Sequence, residues 1–96
     1  MEYLKKYNLS DEDINEIVEF IDDMDNKELN FNRKNVESIL DYFVSIGITC
    51  IKDLLMYKTY IFYDSVNRIK SAFNNCDENT ITSINNDVMN IDLLIS

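Results

Sequence analysis

Leu9-Ser10-Asp11-Glu12-Asp13-Ile14-Asn15-Glu16-Ile17-Val18-Glu19-Phe20-Ile21 decides the fold. Ser10 suits the N-cap of a helix, and Asp13, three residues on, supplies the acidic form of a capping box. Leu9 and Ile14 stand where a hydrophobic staple places its pair. Ile14, Ile17, Val18 and Ile21 recur at i, i+3, i+4 and i+7. That spacing predicts an amphipathic helix running to about Met24.

The same logic recurs on either side. Tyr7-Asn8-Leu9-Ser10 reads as a helix end, a left-handed residue, an apolar residue and a new cap. Ile46-Gly47-Ile48-Thr49 has the same grammar, with Gly47 as the left-handed C′ residue and Ile48 folding back on Phe43. Between them, Asn32 is placed to cap a helix carrying Val36, Ile39, Leu40 and Phe43, with Phe31 and Val36 as its staple. Thr49 is placed to cap a helix with Ile51, Leu54 and Leu55. Asp64 is placed to cap one with Val66, Ile69, Ala72 and Phe73. Ile61-Phe62-Tyr63 is locally β-like but has no second strand to pair with, so it reads as a connector. A last helix starts near Asp77 or Asn79 and carries Ile81, Ile84, Val88, Ile91 and Ile95. Its Thr, Asn and Ile propensities are weak. The expected fold is all-α: a compact bundle of about five short helices in helix-pair units, one domain over residues 1–96.

Composition removes many functions. One glycine among 96 residues leaves no P-loop and no dinucleotide fingerprint. The absence of histidine removes Ser-His-Asp and Cys-His catalysis and any His-ligated metal. Cys50 and Cys76 are expected as free buried thiols, with one disulfide as the alternative. The calcium-loop test fails as well. Counted from Asp23, position six is Glu28 instead of Gly and position twelve is Lys34 instead of Glu. No signal peptide or membrane span is evident, which points to the cytoplasm. Asn and Ile occur 13 times each, the bias of an AT-rich coding sequence as in low-GC bacteria and their phages. No catalytic residue, cofactor or metal is expected.

Charge is the most informative feature. The chain carries a net charge of −9. Nine acids and a single base, Lys27, fall within residues 11–28, so −8 of that charge belongs to one segment. Asp11, Glu12, Glu16, Glu19, Asp22, Asp23 and Asp25 are the candidate partner-binding residues. As one helix, residues 11–23 would present acids about every 3 Å, close to the phosphate spacing of a nucleic-acid strand. Such a face fits a protein with a basic surface, one that handles nucleic acid included. The competing reading is a solvated face whose acids favour a helix N-terminus. Direct nucleic-acid binding is disfavoured by the sign of the charge.

Tyr57, Tyr60, Phe62 and Tyr63 cluster in seven residues. Tyr57, Tyr60 and Tyr63 form a second candidate interface, for an apolar partner or a homodimer, together with the C-terminal helix. The plain alternative is core rings with their hydroxyls at the surface.

Ile39-Leu40, Phe43, Ile46-Gly47-Ile48, Ile51, Leu54-Leu55, Thr59, Ile61-Phe62, Ser65 and Ile69 together resemble one repeat of the mTERF-like helical family, over residues 36–73. The resemblance implies short paired helices, as in a curved solenoid. Thr59 stands where that family usually has proline. The acidic chain lacks the basic face with which such repeats bind nucleic acid, so no functional residue carries over.

Overall fold

A computed structural model describes residues 1–95. Among them the chain forms a 3-10 stretch at Glu2–Tyr7, then α1 (Asp11–Phe20), α2 (Asp23–Phe31), α3 (Arg33–Ser45) and α4 (Ile51–Tyr57). A second 3-10 stretch at Thr59–Tyr63 leads to α5 (Val66–Phe73) and α6 (Glu78–Asn86), and a third at Val88–Leu93 follows. No strand occurs among the described residues. The all-α expectation holds. The pieces are shorter and more numerous than the five expected, because polar residues interrupt the apolar stripes.

The junctions read from the sequence form as expected. The Ser10 hydroxyl accepts from the Asp13 N–H at 3.1 Å, and the Asp13 carboxylate accepts from the Ser10 N–H at 3.0 Å. Asn8 is left-handed at φ 64° and Gly47 at φ 94°. The Ile48 N–H reaches the Phe43 carbonyl at 2.9 Å and the Gly47 N–H reaches Val44 at 3.2 Å, the paired bonds of a Schellman motif. Asp77 caps α6 by accepting from the Thr80 N–H.

Several expectations are corrected. The helix from Ser10 does not reach Met24. It ends at Phe20, because Ile21 turns extended and Asp22 caps a new helix by accepting from the Asp25 N–H at 2.8 Å. Asn32 is no side-chain cap. It lies at the seam of two abutting helices, and its N–H bonds back to the Glu28 carbonyl. Phe31 is 87% exposed and staples nothing. The Thr49 N–H is taken by Asn85, so α4 starts at Ile51 without a side-chain cap. Ser65 caps α5, one residue after the expected Asp64. The last helix breaks at Asp87, whose carboxylate accepts from the Met89 N–H and opens the final 3-10 stretch.

α3 is the central element. Val36, Ile39, Leu40 and Phe43 are fully buried on one face. Phe43 meets Phe62 at 6.1 Å and Phe73 at 5.4 Å between ring centroids, which ties α3 to the second 3-10 stretch and to α5. The radius of gyration, 12.6 Å, is close to the ~13 Å of a compact chain this long. Ile84 and Ile91 are fully buried and Val88 nearly so. These three side chains of the C-terminal segment therefore belong to the chain's own core, while Met89 and Leu93 stay exposed. Both cysteines are free and half-buried, and burial pushes the Cys50 thiol up to about 11.

Candidate functional site

The acidic segment divides into three kinds of residue. Asp11, Asp13 and Glu16 are held by lysines from elsewhere in the fold. Lys5 bridges Glu2 and Asp11 at 2.8 and 2.9 Å, and Lys52 on α4 bridges Glu16 and Asp13 at 2.7 and 3.2 Å. The Ser10 backbone N–H, and then Lys52, hold the Asp13 carboxyl below its usual range. The Glu16 and Asp13 carboxylates in turn raise Lys52. A second group serves local structure: Asp22 caps α2, Asp25 accepts a hydrogen bond from the Tyr63 hydroxyl, and Glu28 accepts one from the Asn32 side-chain amide at 2.9 Å. The third group is Glu12, Glu19 and Asp23. They are exposed and make no ion pair or side-chain hydrogen bond among the described residues.

This arrangement alters the expected geometry. α1 has ten residues, about 15 Å of helix, and the chain turns before Asp22. The straight 20 Å line of charge is absent, and with it the even phosphate-like spacing. An acidic surface on two successive short helices takes its place.

The aromatic candidates lie against this surface. Tyr57, the last residue of α4, packs edge-on against Phe20, the last residue of α1, with centroids 5.0 Å apart and planes at 70°. Each of the two residues stays 53% exposed. Tyr63 reaches Asp25 on α2. Tyr60 instead donates to Asp92 at 3.0 Å, and Asp92 also receives the Lys58 ammonium at 2.8 Å. Lys58 is only 6% exposed, with its long stem inside and its head on Asp92. That pair fastens the final 3-10 stretch to the body. So Tyr57 and Tyr63 join the acidic segment, while Tyr60 belongs to a structural clasp.

Phe20 is the residue that sequence reasoning missed. At 100° per residue it falls about 60° beyond Ile17, outside the apolar stripe and between Asp13 and Glu16. A large ring off the stripe among acids was the available signal. Asn85 was also missed. Its side chain donates to the Gly47 carbonyl at 2.9 Å and accepts from the Thr49 N–H at 2.8 Å, which pins the loop between α3 and α4.

Among the described residues no three of Cys, Asp and Glu converge as a metal site requires, and no helix is long and apolar enough to cross a membrane. The surface offers charge and exposed aromatic area. In comparison with known proteins, no family model, no curated protein and no solved structure matches the chain, so the likeness of residues 36–73 to an mTERF-like repeat rests on those residues alone.

Proposed function

We propose that this chain is a small protein-binding regulator or inhibitor, cytoplasmic in setting, that docks residues 11–28 on the basic surface of another protein. The observation that carries the reading is the set Glu12, Glu19 and Asp23. These are acids in a segment of net charge −8 that no cation of the chain neutralises among the described residues. Lys5 and Lys52 are already committed to Asp11, Asp13 and Glu16. An uncompensated acidic face speeds encounter with a cationic partner and penalises acidic ones. A basic surface that elsewhere contacts nucleic acid has the required charge, although the break between α1 and α2 removes the even spacing of a phosphate backbone.

The test is capture by the tagged chain from a nuclease-treated low-GC bacterial lysate at low and high salt. The triple variant Glu12→Gln, Glu19→Gln, Asp23→Asn serves as the control. A basic protein held at low salt, released by high salt and lost in the variant supports the reading. Capture unchanged in the variant overturns it and leaves the acids as a solvated face.

A further inference from the structure

We propose that the Phe20–Tyr57 pair and the acids around it receive a cationic amphipathic helix of another protein. The inference rests on the docking reading above and names the chemistry of its partner. Phe20 and Tyr57 pack on each other yet each residue stays about half exposed. Exposed aromatic area of this kind is what interface cores use.

Charge selects the occupant. Glu16 lies one helical turn before Phe20, and Asp53 lies one turn before Tyr57, so each acid shares a face with its ring. Glu19 adjoins Phe20 in sequence, and Asp22 and Asp23 follow directly. α1 presents its carbonyl end here with no basic residue in its last turn, and α4 has none in its last turn either. A helix C-terminus favours cations. Lys52, the base between these two helices, is spent on Asp13 and Glu16.

A second copy is a poor occupant. A two-fold contact through this face would set one segment of charge −8 against its twin. An extended peptide finds no strand edge among the described residues to extend. An amphipathic helix presents apolar anchors and Lys or Arg together. Its anchors cover Phe20 and Tyr57, its cations meet Glu19, Asp23 and Asp53, and an Arg or Lys over either ring adds a cation–π contact.

The probe is a synthetic Leu/Lys amphipathic helix of about 18 residues. One Trp on its apolar face reports binding by fluorescence, since the chain has no Trp. An Ala/Lys helix of equal charge, carrying the same Trp, is the comparison. Titrated into the full chain at about 150 mM salt, the Leu/Lys peptide should bind at least about tenfold tighter. Phe20→Ser and Tyr57→Ser should each weaken it about fivefold or more, while Phe31→Ser, an exposed ring elsewhere, leaves it unchanged. Equal binding of both peptides overturns this inference and leaves the docking reading standing on charge alone. Binding of neither peptide overturns both. Self-association of the chain that Phe20→Ser abolishes also overturns it, with a second copy as the occupant.

Discussion

The Tyr63 hydroxyl donates a hydrogen bond to Asp25, and this contact joins the aromatic segment to the acidic one. Two stretches separated by 38 positions thereby share one surface. Partial burial, and then the Asp25 carboxylate, push the Tyr63 phenol well above its ordinary value of about 10. The protonated phenol is the form the fold favours. Its stabilisation is therefore fully present below about pH 10 and is lost as pH climbs through the raised folded value. A 295 nm titration of the wild-type chain minus Tyr63→Phe isolates this group. Asp25→Asn should bring its midpoint back toward 10, and an unmoved midpoint would mean the bond does not form in solution.

Gly47 should not tolerate a side chain. A Cβ there would meet Ile81 Cγ2 at 3.6 Å, an ordinary contact, so space is not the problem. The cost lies in φ 94°, which an L-residue rarely adopts. Gly47→Ala is expected to destabilise by about 1 kcal/mol, a fall in Tm of about 4–8 °C. Asn85→Ala removes both side-chain bonds to the same loop and should cost about 1–2 kcal/mol. Thermal melts measure both. An unchanged Tm for Gly47→Ala would argue for one helix through residues 36–57.

Stability should fall on the acid side. Lys58 holds Asp92 below the usual aspartate value, the Ser10 N–H does so for Asp13, and the Thr80 N–H for Asp77. Each carboxylate is stabilised in the fold. Its contribution is complete above the unfolded value of about 3.9 and is lost as pH falls through the lowered folded values. Melts from neutral pH down to about 2 should show the loss concentrated below about pH 4. Asp92→Asn should lower the neutral-pH Tm, because Lys58 loses its counter-charge, and should shallow the acid limb. A variant as acid-sensitive as wild type would place the titration elsewhere.

Features that depend on neighbours in the chain were legible from the sequence. Ser10 with Asp13, Asn8 and Gly47 state their backbone roles within four residues, and the structure places each as read. Breaks were harder to read, because a cap competes with continuation of the helix. Asp22 could have been one more exposed acid in a longer helix, and only its bond to the Asp25 N–H makes it a start. Contacts made across the fold were not legible. Nothing local marks Asn85 as the anchor of residues 47 and 49, or Phe20 as the partner of Tyr57. The acidic segment was correctly seen as one run of charge. Its division into lysine-paired, structural and unpartnered acids is set by where Lys5 and Lys52 come to rest.

The break at residues 21–22 is itself open to test. As the N-cap of α2, Asp22 satisfies the Asp25 N–H, and its loss should destabilise the chain by about 1 kcal/mol. Were residues 11–31 one helix, Asp22 would sit in its interior. Alanine, the best helix former, would then raise helicity and stability. The two geometries therefore predict opposite signs for Asp22→Ala, read by circular dichroism and thermal melting. Asp22→Ser should separate capping from charge, since serine caps as well as aspartate without the carboxylate. A stable Asp22→Ser beside a destabilised Asp22→Ala identifies the cap as the device that turns the chain. That turn sets Phe20 at a helix end, where its ring meets Tyr57 and the residue stays about half exposed.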